Sequence, residues 1–196
     1  MEKEKQLKSI REYVKNIFQD DATGHDYFHM KRVAKVAKLI AEKENADSFV
    51  TEAAGLLHDV GDHKLFNNPS AVLDEMYLFL KSIHVQDDDI EKIKIAMKDV
   101  SFSKGNVPVT LEGKIVQDAD RIDAIGAIGI ARTFAFGGAK GQLIYHDAHN
   151  ESTSIQHFHD KLLKLKELIH TTTAKKMANE RHAFMEAFLK EFHREW

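Results

Sequence analysis

Apolar residues recur every three or four positions along most of this chain, the spacing that gathers them on one face of an α-helix. Residues 3–20 carry Leu7, Ile10, Val14, Ile17 and Phe18 on one side and predict a first amphipathic helix. The stretch DATGHDYFHM reads as a turn, with Gly24 to stop that helix and Asp26 to cap the next. A second helix is expected from Tyr27 to about Asn45, with His29, Val33, Val36, Ala37 and Ile40 at helical spacing. A third, over 46–59, has Asp47 or Ser48 as its N-cap and Gly61 soon after its end. Residues 63–70 read as a loop in which Ser70 caps a helix running to about Ser82. Residues 86–100 form another, whose acidic start suits the positive end of the helix dipole. After a loop at 101–109, residues 110–135 predict a long, mostly buried helical region broken near Gly126. Residues 136–153 read as a glycine- and histidine-containing loop. Two polar-faced helices, 154–169 and 171–196, complete an all-α chain. No strand pattern, internal repeat or low-complexity linker stands out.

Composition agrees with that reading. A chain of 196 residues is long enough to bury a core as one domain. Only two prolines, Pro69 and Pro108, interrupt a sequence dense in good helix formers. The formal charge of −3 offers no global basic surface to draw in nucleic acid or a membrane. Cysteine is absent, which removes disulfides, thiolate metal sites and cysteine nucleophiles together. The opening MEKEKQLKSI is charged and lacks the apolar run of a secretory signal. The most apolar stretch, 124–131, falls well short of the ~20 residues that span a bilayer, so a cytoplasmic location is expected. The unusual feature is twelve histidines, which direct attention to nitrogen and oxygen metal ligands.

Four residues lie on apolar helical faces where acids and imidazoles are out of place. His29 shares a face with Val33 and Val36, and His58 and Asp59 close the third helix behind Val50, Ala53, Ala54 and Leu57. Asp120 stands one turn from both Val116 and Ala124. A lone histidine on such a face is more often a hydrogen-bonded core residue than a ligand. The joint pattern is harder to dismiss, because unpaired buried acids are expensive and one shared cation would satisfy all four groups. Two imidazoles and two carboxylates are a sound ligand set for a divalent cation of the Mn²⁺ to Zn²⁺ series.

His29-x-x-Arg32-Val33, then Leu57-His58-Asp59-Val60-Gly61, then Val116-Gln117-Asp118-Ala119-Asp120-Arg121-Ile122 resembles the H…HD…D signature of the HD-domain metal-dependent phosphohydrolases. The likeness runs through residues 25 to 135 or so. Further on, QDADRIDAIGAIGIARTFAFGG and ERHAFMEAFLKEF resemble a narrower bacterial subgroup, the YpgQ-like nucleoside-triphosphate pyrophosphohydrolases. The resemblance implies a single helical HD-type domain over 1–196, its metal site between core helices and its C-terminal helices over 154–195. It implies that His29, His58, Asp59 and Asp120 bind the metal. Asp118 is the alternative to Asp120, about 200° away around the same helix; the ADRI run matches the family's last motif and favours Asp120. Mn²⁺ is the favoured ion, with Fe²⁺, Co²⁺, Ni²⁺, Mg²⁺ and Zn²⁺ as alternatives.

Phosphoanhydride hydrolysis also needs a proton acceptor near the attacking water and cations around the polyphosphate. Asp62, four residues after His58, is the candidate acceptor, against the plainer reading that it caps a turn. Arg32 and Lys64 are the candidate phosphate contacts, and Asp123 could orient a sugar hydroxyl or a metal-bound water, or pair with a nearby base. FGGAKGQ at 136–142 lacks the form of a phosphate-binding loop. The histidines at 146, 149, 157 and 159 read as rim residues. The expected activity is cleavage of (deoxy)nucleoside triphosphates to monophosphate and pyrophosphate. A nucleotide monophosphatase and a catalytically inactive nucleotide-binding module are the competing readings. The expected partner is a small-molecule nucleotide, with no nucleic acid or membrane and with a homo-oligomer left open.

Overall fold

The structure is a computed structural model that describes residues 2–19, 24–100, 105–148 and 151–196. The expected turn residues 20–23, the loop residues 101–104 and His149 lie outside the described residues. Within them the secondary structure is entirely helical, as composition and periodicity predict. The helices are α1 (Glu2–Phe18), α2 (Tyr27–Glu44), α3 (Ser48–Leu57), α4 (Pro69–Ser82), α5 (Asp87–Met97), α6 (Leu111–Asp123), α7 (Gly126–Ala139), α8 (Ser154–Asp160) and α9 (Thr172–Glu195). A 3₁₀ segment, Leu162–Leu168, follows α8. No single described helix is long and apolar enough to cross a membrane.

The chain divides into two compact units, Met1–Asp120 and Arg121–Trp196. In the first, α3 is the hub and packs against α1, α2 and α5. Its side chains from Phe49 to Leu57 are buried all round, the mark of a helix enclosed by others rather than laid on a surface. Ile10 and Val14 of α1, Met30 of α2, Ile93 of α5 and Val116 of α6 close the core around it. The one acid on α3, Glu52, is buried and held by Arg11 of α1 at 2.5 Å and Lys38 of α2 at 3.1 Å, so its charge ties three helices. Asp47 caps α3 by accepting from the Phe49 and Val50 amides at 2.9 and 3.1 Å.

In the second unit α7 pairs with α9, and α8 and the 3₁₀ segment fill in beside them. Phe134, Phe158 and Phe188 bring one ring each from α7, α8 and α9 to within 5.8–6.1 Å of one another.

Three local expectations change. Asn68, not Ser70, caps α4: its side chain accepts from the Ala71 amide, and Pro69 takes the first helical position where its missing N–H costs nothing. Helix α7 runs on through the glycines to Ala139. Gly137 marks a close approach there and not a turn, since a Cβ on it would sit 2.2 Å from Ser154 Oγ. The single helix expected over 154–169 ends at Asp160, and the buried pair Leu162 and Leu165, three apart, fits the tighter 3₁₀ turn that follows.

Candidate metal centre

The centre lies in the first unit and begins with where α2 and α3 start and stop. Asp26 caps α2 by accepting from the His29 amide at 2.7 Å, which places His29 in the first turn. Met30 and Val33 beside it are buried completely, so the imidazole is drawn into the core with them. At the end of α3, Leu57 and Val60 are buried on either side of His58 and Asp59. The backbone leaves the helix through tight turns, Val60 N–H to Leu57 C=O at 2.9 Å and Asp62 N–H to Asp59 C=O at 3.1 Å. Gly61, at φ +80°, completes the exit in the left-handed region that glycine enters freely.

Helices α2 and α3 meet closely at Gly55, where an added Cβ would stand 2.9 Å from the Ala34 Cα. That approach brings His29 and His58 together, their ring centroids 5.3 Å apart. Gly55 also acts on His58 directly, because its carbonyl accepts from His58 Nδ1 at 3.0 Å. A carbonyl can only accept, so Nδ1 carries the proton and Nε2 keeps its lone pair. That Nε2 is buried with no hydrogen-bond partner.

Around this nitrogen stand the other three expected ligands. Asp59 Oδ1 is 3.4 Å and Asp120 Oδ1 3.9 Å from His58 Nε2. His29 Nε2 lies 3.5 Å from Asp120 Oδ1 and 3.8 Å from Asp59 Oδ2. The side chains of His29, His58 and Asp59 are shut off from solvent, whereas Asp120 keeps 24% of its side-chain surface exposed. Burial alone would raise the Asp59 carboxyl, but the positive charge that His58, His25 and His29 carry when protonated, with the hydrogen bond from His25, outweighs it. These groups hold Asp59 well below the ordinary carboxylate range, so it stands ready as an anion. An imidazole lone pair without a donor, set among carboxylates, is the donor set that a divalent cation completes.

His29, His58, Asp59 and Asp120 therefore converge as expected. Asp118 is fully buried and belongs to neither group of donors close enough to share an ion. Asp62 sits at the exit turn: its Oδ1 accepts from the Lys64 amide at 2.8 Å, and His63 Nδ1 lies 3.5 Å away. The contact with the Lys64 amide is the capping role of a turn residue. Lys64 is exposed and Arg32 is half-buried three residues after His29. Asp123, in the second unit, is buried and bonded to Arg132 at 2.7 Å, the pairing with a nearby base.

Sequence reasoning passed over two residues. One is Gly55, invisible because a helical glycine looks like any small residue. The other is His25, whose Nδ1 is 2.7 Å from Asp59 Oδ2 and whose ring meets His29 edge to face.

The chain is similar to known proteins over most of its length. The family model described as HD domain matches residues 26–125. Uncharacterized protein YpgQ of Bacillus subtilis (strain 168) is 42% identical over 199 residues, covering 100% of this chain and 96% of its own. The crystal structure of Bacillus subtilis YpgQ in complex with ADP superposes with a TM-score of 0.87 at 40% identity, over 100% of this chain and 97% of that one. An HD-superfamily hydrolase from Bacillus thuringiensis gives a TM-score of 0.85 at 40% identity, over 99% and 98% of the two chains.

Proposed function

The chain belongs to the HD domain family of metal-dependent phosphohydrolases, and on that footing we propose that it hydrolyses (deoxy)nucleoside triphosphates to the monophosphate and pyrophosphate. The observation that carries the reading is the gathering of His29, Asp59 and Asp120 about the unpartnered His58 Nε2. These four residues hold a divalent cation, Mn²⁺ for preference, through two nitrogens and two carboxylates. When bound, such a cation supplies Lewis-acid activation of water and neutralisation of phosphate oxygens. The partial exposure of Asp120 leaves one side of the cluster open to a substrate.

The remaining side chains divide the work. Asp62 takes the proton of the attacking water; its Oδ1 stays on the Lys64 amide, which holds the carboxylate in one orientation and leaves Oδ2 for the proton. Arg32 and Lys64, flanking the two histidine motifs, neutralise the β- and γ-phosphates. Asp123, already bonded to Arg132, takes no part in this scheme. The ADP held by a protein 40% identical to this one supports a nucleotide, and the likeness of QDADRIDAIGAIGIARTFAFGG to the pyrophosphate-releasing subgroup supports cleavage at this bond.

The test is a malachite green assay on a nucleotide panel with Mn²⁺, run with and without added inorganic pyrophosphatase. Triphosphates should give colour only when pyrophosphatase is present. Equal colour without it means orthophosphate is released directly and points to a phosphatase. No colour in either arm, with nucleotide binding intact, would make the protein a binding module.

A further inference from the structure

We propose that His25 is a positioning residue for Asp59: its ring N–H holds one carboxylate oxygen so that the other stays turned toward His58. The inference rests on the reading of His29, His58, Asp59 and Asp120 as a cation site, and it adds a residue outside that quartet. An ionised carboxylate can only accept, so His25 Nδ1, 2.7 Å from Asp59 Oδ2, is the donor. The terminal torsion of an aspartate is broad and does not choose an orientation for itself. With Oδ2 fixed by His25, Oδ1 is left 3.4 Å from the bare Nε2 of His58. The His25 ring is held in turn, edge to face against His29 at 5.7 Å and 88°. Asp26, the next residue, caps the same turn on the His29 amide. One turn of chain thus fixes a ligand on α2 and orients a ligand at the end of α3.

A second cation shared by His25, His29 and Asp59 is the competing account of the same cluster. It fails on donors. His29 Nε2 is 3.8 Å from Asp59 Oδ2 and 3.5 Å from Asp120 Oδ1, so a single nitrogen faces both groups and can serve one ion only. The proton on His25 Nδ1 is committed to Asp59. The arrangement is one site with an oriented carboxylate.

Hydrogen bonds of this kind behind a metal ligand are worth about 10–100-fold in metal affinity. The test is Mn²⁺ binding to metal-free full-length protein, read from the electron paramagnetic resonance signal of free Mn²⁺, for wild type, His25→Phe and His25→Asn. Phenylalanine keeps the ring contact and removes the donor, so Kd should rise about 10–100-fold. Asparagine sets an amide N–H where Nδ1 stood, so its Kd should stay within about threefold of wild type. Nitrogen couplings to the bound Mn²⁺, measured by pulsed resonance, should show the same two imidazoles in all three proteins. Wild-type affinity in His25→Phe, equal loss in His25→Asn, or one fewer coupled nitrogen in His25→Phe would each overturn the positioning role while leaving the cation site standing. A wild-type protein that binds no Mn²⁺ would bring down the site and this role together.

Discussion

His58 shows how the fold leaves a buried imidazole acceptor without a donor. Its Nδ1–H is spent on the Gly55 carbonyl, and its Nε2 is left in the interior with no donor to accept from. Leaving a buried acceptor without a partner costs about 1–3 kcal/mol, and on the proposed reading a cation drawn to the carboxylates beside it would offset that cost. Replacing His58 by Ala should therefore abolish Mn²⁺ binding and turnover together while helical circular dichroism persists, because Leu57, Val60 and the rest of the core do not depend on the ring. Stoichiometric Mn²⁺ in the purified variant would contradict the assignment. Asp62 should behave differently. Asp62→Asn retains Oδ1 for the Lys64 amide and loses the proton acceptor, so metal content should survive while kcat falls ~10²–10⁴-fold; an unchanged kcat would leave it only the turn. His29, His58, Asp59 and Asp120 were legible in the sequence because ionisable groups interrupt apolar faces there. His25 was not, because it sits in the turn before α2, where a polar residue carries no such contrast.

The helices are positioned as much by what they lack as by what they carry. A methyl group at Gly55 would stand 2.9 Å from a backbone atom of Ala34, so α2 and α3 would have to part. Overpacking of this kind costs ~1–3 kcal/mol, against about 1 kcal/mol gained by a better helix former. Gly55→Ala should then lose about 0–2 kcal/mol in urea unfolding. Because His29 and His58 ride on the two helices, Mn²⁺ affinity should fall about tenfold, as for other distortions behind a ligand. Wild-type affinity in calorimetry would show that the helix approach does not tune the site. Helix positions followed closely from apolar spacing, and the caps Asp26 and Asp47 from residue type. What spacing missed is contact between elements. The glycines of 137–138 read as loop because the neighbour that requires Gly137, Ser154, is distant in sequence. The 3₁₀ segment escaped for the same reason, since Leu162 and Leu165 fit either helix until their packing is known.

For the molecule as a whole, the all-α character was written in composition and the HD family in three short motifs, since both are set by residues acting locally. Which bond is broken is set by how a triphosphate lies across the site. Attack at the α-phosphorus requires the nucleoside to be held beside the four ligands, with the β- and γ-phosphates extended toward Arg32 and Lys64. Attack at the γ-phosphorus requires the reverse pose. The most direct measurement is hydrolysis of dATP in ¹⁸O-water with Mn²⁺, with the products read by mass spectrometry. The proposed pose predicts one ¹⁸O in dAMP and unlabelled pyrophosphate; label in orthophosphate, with dADP accumulating first, would contradict it.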